Sequence, residues 1–184
     1  MEVTKTAFDG LVIIVPRIFE DNRGYFYESY NRETYNNAGI PYNFIQDNQS
    51  ESLKGVIRGL HYQLSPHAQT KLVRAIAGSI FDVVVDLRKG SPTFGKWYGI
   101  ELSDKNKLQL LVPQGFAHGF SVLSAKAIVH YKTDNLYRKE AERGIVYNDP
   151  LLGIDWKTDP EIGIVSERDA QLSRFTDAEY NFLF

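Results

Sequence analysis

The 184-residue sequence has no cysteine, one methionine and two tryptophans. Without cysteine there is no thiolate nucleophile, no disulfide framework and no thiolate metal site. An excess of charge of either sign is also lacking. The formal net charge is −2 and no basic block interrupts the chain, which argues against broad nucleic-acid binding but leaves room for a local cationic pocket. No apolar run approaches the roughly 20 residues of a membrane span. The opening MEVTKTAFDGLVIIVP lacks the basic start and long apolar core of a signal peptide, so a cytoplasmic location is expected. Internal repeats, linkers and low-complexity tracts are missing too, so one domain over residues 1–184 is expected.

What is present is apolar and aromatic. Hydrophobic residues make up 43% of the chain, enough for a substantial core, and 11 Tyr with 11 Phe argue against disorder. Short β-branched or alternating runs follow one another: GLVIIVPRIF (broken by Pro16), RGYFYESY, GVIRGLHYQ, KLVRAIA, SIFDVVVDLR, WYGIELS, LQLLVP, AHGFSVLS and AIVHYKT. AGS, KGSPTFG, SDKNK, PQG and LSAK supply turn signals between them. This pattern predicts an all-β antiparallel sandwich, jelly roll or barrel. Helical periodicity is confined to NRETYNNAG at 31–39 and to the closing TDAEYNFLF. In SIFDVVVDLR, Phe81, Val83, Val85 and Leu87 share one face, and Asp82, Val84 and Asp86 the other. Two carboxylates on one face mean that it is solvated or lines a polar cavity.

The chemistry concentrates around RGLHYQ. His61, one of four histidines, lies ten residues before Lys71 across a loop containing Pro66, and hairpin pairing would bring the two together. A histidine near neutrality is the natural general base, and it needs an orienting carboxylate and a partner acid. Arg58 and His61 are three residues apart, so a regular pleat turns them to opposite faces. For both to reach one pocket the strand must bulge, and Gly59 allows it. Tyr131 keeps its proton at neutral pH and is a candidate acid. Asp169, in SERDAQ, is the candidate orienter, although no spacing links it to His61. His118 sits in VPQGFAHGF, whose P-x-G-x-x-H spacing resembles the second motif of cupin barrels. A cupin metal site would have to be built from His61 and His118 without the usual third histidine, so no metal is expected.

The segments FEDNRGYFYESYN, FIQDNQSES, GVIRGLHYQ, PHAQTKLVRAIAGSIFDVVVDLRKGSPTFGKW, LLVPQGFAHGFSVLS, YKTDNLY, AERGIVYNDPLLGIDW and SERDAQ together resemble the dTDP-4-dehydrorhamnose 3,5-epimerases over nearly the whole chain. That family converts dTDP-4-dehydro-6-deoxy-glucose to dTDP-4-dehydro-rhamnose. The resemblance implies a cupin-type jelly roll with short peripheral helices, homodimeric and free of metal and cofactor. It implies His61 as the proton-abstracting base, Asp169 as its carboxylate, Tyr131 as the proton donor and Lys71 as the cation beside the C4 oxygen. By the same resemblance Arg23, Glu28, Gln46, Asp47, Asn48, Arg58, His118, Glu142 and Arg168 contact the nucleotide sugar. Arg23 and Glu28 would do so across to the other subunit. Thr70 stands where glycine is common in the family, but no catalytic position is missing. The chemistry is self-consistent: a 4-keto group acidifies the protons at C3 and C5, and enolate formation needs no redox cofactor. Three rival readings remain at this level: a single-centre epimerase or 3,4-ketoisomerase on a related sugar, a non-catalytic sugar- or nucleotide-binding jelly roll, and a metal cupin.

Overall fold

The computed structural model describes residues 1–158 and 163–184. Thirteen strands are named in chain order: β1 (Glu2–Lys5), β2 (Val12–Val15), β3 (Phe19–Asp21), β4 (Gly24–Phe26), β5 (Gln46–Leu53), β6 (Ile57–Gln63), β7 (Lys71–Ala77), β8 (Ser79–Asp86), β9 (Trp97–Ser103), β10 (Gln109–Val112), β11 (Phe116–Val122), β12 (Lys126–Thr133) and β13 (Glu142–Gly144). Two short helices, α1 (Arg32–Asn37) and α2 (Glu167–Ala170), lie at the periphery. The strands form a six-stranded sheet in the order β1-β2-β10-β7-β12-β5, a five-stranded sheet in the order β13-β6-β11-β8-β9, and the separate hairpin β3-β4. The ladders within all three are antiparallel. The chain is the all-β antiparallel structure that its alternating runs predict.

The main core lies between the two large sheets. Val73, Leu110 and Val129 from one sheet meet Ile80, Val84, Phe116 and Phe120 from the other. The outer face of the five-stranded sheet, with Val83, Val85 and Leu87, is covered by Ile145, Leu152, Trp156 and Phe182 from the C-terminal part of the chain. The outer face of the six-stranded sheet packs Ile14, Leu72 and Leu111 under Tyr35 and Ile40. Each sheet therefore buries apolar side chains on both faces. This explains why β8 reads as nearly continuous hydrophobic residues apart from Asp82 and Asp86.

Those two carboxylates point into the sandwich, and both are fully buried. Asp86 is satisfied by Arg88, Ser91 and Thr93 at 2.6–2.9 Å. Asp82 accepts from His118 alone. The face is thus interior and not solvated.

The expected helix at 31–39 forms as α1. Asn31 Oδ1 accepts the Glu33 and Thr34 N–H groups, and Gly39 (φ 81°) follows its end. Six residues make a weak helix on their own, and the burial of Tyr35 holds it in place. The helix expected in TDAEYNFLF is not there. That segment runs irregularly, with Phe182 buried and its backbone paired to Lys89 (Lys89 N–H to Phe182 O, 3.0 Å; Phe184 N–H to Lys89 O, 3.1 Å). Tertiary pairing has overridden a weak local preference. The hairpin expected between β6 and β7 is also corrected, because the two strands belong to different sheets and face each other across the sandwich.

Candidate active site

A cavity of about 670 Å³ opens between the two sheets. Its walls follow from strand parity. On the five-stranded sheet, His61 of β6 lies directly opposite His118 of β11 in the ladder. On the six-stranded sheet, Tyr131 of β12 lies opposite Asn48 of β5 on one side and Val73 of β7 on the other, two residues along from Lys71. Residues opposite one another share a face. One sheet therefore supplies the histidines, and the other supplies the tyrosine and the lysine.

Arg58 and His61 both line this cavity despite their odd spacing. The β6–β11 ladder pairs His118 with His61 and Phe120 with Arg58, so three steps on β6 match two on β11. The extra residue is a bulge of the kind the sequence required. Gly59 adopts φ 120°, and a Cβ there would stand 2.6 Å from Gly119 Cα and 2.8 Å from the His118 carbonyl oxygen. Only glycine fits this close approach. Arg58 then donates from Nε to Ser52 Oγ at 2.9 Å.

His61 Nε2 lies 3.0 Å from Asp169 Oδ1. Asp169 is buried and belongs to α2, whose start is capped by Ser166 Oγ accepting the Asp169 N–H. Its second oxygen accepts the Gly59 N–H at 3.0 Å. The same bulge that aims Arg58 thus also fixes the carboxylate that orients the histidine. Burial raises the Asp169 carboxyl, but the bonds from His61, Gly59 and Ser166 outweigh it and hold it below its ordinary range.

Lys71 Nζ lies 5.9 Å from the Tyr131 ring centre and 3.4 Å from the His61 carbonyl oxygen. Burial pulls its amine down to about 8, while Asp82 and Glu142 act in the opposite direction. Burial also raises the Tyr131 phenol, with Arg58 opposing it, so that side chain keeps its proton across the neutral range. At the mouth, Tyr137 Oη donates to Glu142 at 2.7 Å, and Arg168 pairs with the same carboxylate. Burial raises Glu142, but these two partners prevail and keep it ionised.

Nine of the thirteen residues expected at the site line one cavity: His61, Tyr131, Asp169, Lys71, Asn48, Arg58, His118, Glu142 and Arg168. Gln46 stands beside it, donating to Asn48 and accepting the Tyr137 N–H. Asp47 does not join them. Strand alternation turns it to the outer face of β5, where it pairs with Lys132 and His130. Arg23 lies on the β3–β4 hairpin, paired with Asp21, and Glu28 accepts from Asn31 and Thr34; neither lines the cavity of its own chain. Tyr137, given no role from sequence, lines the cavity as well, and Asp82 stands behind His118. Parity had put Asp82 on a face of its own kind, and only the fold reveals its partner. Among the described residues, no group of three or more His, Asp or Glu is arranged to hold a metal ion.

A histidine held by a carboxylate, a protonated phenol on the facing sheet and a half-buried ammonium beside them can remove and return a proton at carbon next to a carbonyl. The comparisons with known proteins agree with that chemistry. Residues 5–177 match the family model described as dTDP-4-dehydrorhamnose 3,5-epimerase. The chain is 50% identical to the dTDP-4-dehydrorhamnose 3,5-epimerase of Shigella flexneri, over 98% of this chain and 99% of that one. The crystal structure of the corresponding Elizabethkingia anophelis enzyme superposes with a TM-score of 0.91 at 51% identity, covering 96% of this chain and 97% of that one. A Legionella pneumophila dTDP-6-deoxy-D-glucose-3,5-epimerase, in complex with dTDP-4-keto-L-rhamnose, gives a TM-score of 0.91 at 49% identity, covering 96% and 93%.

Proposed function

The chain belongs to the dTDP-4-dehydrorhamnose 3,5-epimerase family, and we propose that its cavity inverts C3 and C5 of dTDP-4-dehydro-6-deoxy-glucose with His61 as base and Tyr131 as acid. The protein is an isomerase with the cupin-type jelly roll of its relatives. Proton removal next to the 4-keto group leaves an enolate whose charge sits largely on O4. His61 takes the proton, and Asp169 holds the ring in place and stabilises the imidazolium. Lys71 faces the developing charge from a partly desolvated position. A donor so placed is typically worth about 3–4 kcal/mol in the transition state. Tyr131 returns a proton from the other side of the sugar, which inverts the centre. Repetition at the second carbon completes the product without electron transfer.

The observation that carries this reading is the placement of base and acid on facing sheets. Two groups on one sheet would approach a ring from the same side and restore the original configuration. Arg58 and Arg168 suit the diphosphate, and Asn48, Gln46, Glu142 and His118 suit the polar groups of the nucleotide sugar. We also propose a homodimer in which Arg23 and Glu28 of the partner subunit complete the site. The observation behind this is the β3–β4 hairpin, which carries Phe19, Tyr25 and Phe26 at 51%, 55% and 70% exposure, far more than aromatic side chains need to be in a finished assembly. The jelly roll is read as one domain over residues 1–184, acting in the cytoplasmic nucleotide-sugar pool, with neither metal nor cofactor.

Incubation with the 4-keto substrate in D₂O tests the reading by NMR. Deuterium at both C3 and C5, with inversion at both, is the expected result, and His61→Ala should abolish it while retaining substrate binding. Label at one carbon only would assign a single-centre epimerase, and movement of the keto group a ketoisomerase. Binding with no exchange at all would assign a nucleotide-sugar binder.

A further inference from the structure

Gln63 ends β6, two residues after His61 and on the same face of the strand. It lines the cavity and is only 4% exposed, yet no step of the proposed reaction uses it. A buried amide needs hydrogen-bond partners, and those of Gln63 lie on two separate loops. Its Nε2 donates to the His67 carbonyl at 2.6 Å and to the Leu136 carbonyl at 3.2 Å. Its Oε1 accepts the Arg138 N–H at 2.5 Å. The reverse orientation would set an NH₂ group against an N–H and an oxygen against two carbonyls, so the network fixes the amide.

Two of these bonds bracket Tyr137, one on the residue before it and one on the residue after. Leu136, Tyr137 and Arg138 are exposed and belong to no named strand or helix, so no sheet ladder holds them. Side chains hold them instead. The Tyr137 N–H goes to Gln46 Oε1 at 3.1 Å, and the carbonyl of Asn135 accepts from Gln69 Nε2 at 2.8 Å. Tyr137 in turn donates to Glu142, the residue opposite Gln63 in the β6–β13 ladder, and Arg168 pairs with the same carboxylate. Tyr137, Glu142 and Arg168 all line the cavity. Gln63 thus stands where one wall of the mouth is put together.

We propose that Gln63 is a positioning residue for substrate binding: its amide clasps the 64–70 and 134–138 loops together and so holds Tyr137, with Glu142 and Arg168, against the nucleotide sugar. This rests on the proposed dTDP-linked substrate. His61 takes its own orientation from Asp169, not from this clasp. The clasp therefore governs binding more than proton transfer.

Calorimetric titration with dTDP tests the role without reference to turnover. Gln63→Met should bind dTDP about tenfold more weakly, a loss of the size expected when buried polar groups are left without partners. KM for the 4-keto substrate should rise with it, while kcat falls by less than about threefold. Tyr137→Ala, a change at an exposed side chain, completes a double-mutant cycle. In that background Gln63→Met should cost no more than about twofold in dTDP affinity, because the bracket then positions nothing. A full, additive loss there overturns the proposal. So does wild-type dTDP affinity in Gln63→Met, and so does a fall in kcat at fixed KM, which is what structural damage beside His61 would give. Should Gln63→Met not fold, Gln63→Glu keeps the shape and the acceptor but loses both donors at neutral pH. It should weaken dTDP binding likewise, and unchanged affinity overturns the proposal. If the wild type binds dTDP but exchanges no proton, the proposed reaction is what fails, and the titrations still decide the clasp. If the wild type binds no dTDP, both fail.

Discussion

In the proposed mechanism, His61 is a base that depends on a residue 108 positions away. Asp169 holds Nε2 of the His61 ring, and it is itself held by the Gly59 N–H. Asp169→Asn should leave the fold intact and lower kcat by roughly 10³–10⁴-fold, the loss expected when the orienting carboxylate of such a pair becomes an amide. Stopped proton exchange at C3 would measure it. Tyr131→Phe separates the two halves of the reaction. The phenyl ring still packs, but no proton returns from its side, so deuterium should enter the substrate with retention and epimer formation should fall by at least about 10²-fold. Lys71 gives a pH prediction whose two signs differ. With its amine at about 8, activity should fall as pH rises through 8. Stability should do the opposite for this group. Its folded-state pKa lies below the ordinary lysine value of 10.5, so between about 8 and 10.5 the unfolded chain binds the extra proton, and raising pH favours the fold. Urea midpoints of wild type and Lys71→Met at pH 8 and pH 10 isolate the effect: the wild type should gain on the variant. At this scale the sequence exposed the titratable side chains but not their partners. Residue type marks His61 and Tyr131 as candidates, whereas Asp169 became legible only through family resemblance, because no local spacing ties α2 to β6.

The element that does most for the site is the β6 bulge. Gly59→Ala places a Cβ against the backbone of β11 at a positive φ. It should destabilise the fold by about 1–3 kcal/mol, lower the thermal midpoint, and cost more activity than that loss explains, because Arg58 and Asp169 both take their bearings from this point. The bulge was legible as an awkwardness: two polar residues three apart with a glycine between them. Runs such as KLVRAIA and WYGIELS correspond to β7 and β9 in full, since each alternates or stays apolar against a packed face. β5 was not legible. QDNQSESL turns Asn48, Ser50 and Ser52 inward, near the cavity and Arg58, and turns Asp47, Gln49 and Glu51 outward. With polar residues on both faces, the hydrophobic period that identifies a strand disappears. The same alternation accounts for Asp47 standing apart from its neighbours in the run.

For the whole molecule, the proposed dimer makes each site a shared one. Arg23→Ala and His61→Ala should each be inactive or nearly so. Mixed and allowed to exchange subunits, they should recover activity, because a heterodimer contains one site with both residues intact. Recovery to about a quarter of the wild-type level per subunit is expected for random pairing, since half the dimers are mixed and each has one good site. No recovery, with exchange verified by mass spectrometry, would show that Arg23 serves its own subunit or none. Dimer geometry is hard to read from one sequence because the residues involved look like ordinary exposed hairpin positions. The connection between α2 and β6 has a further consequence, for biosynthesis. Every strand named above precedes α2 in the chain. The strands that carry His61, Lys71 and Tyr131 therefore emerge ahead of the carboxylate partner of His61. Contacts of such long sequence separation form late and slowly. During refolding, β-structure should return ahead of catalysis, and the regain of turnover should report the docking of this last small helix.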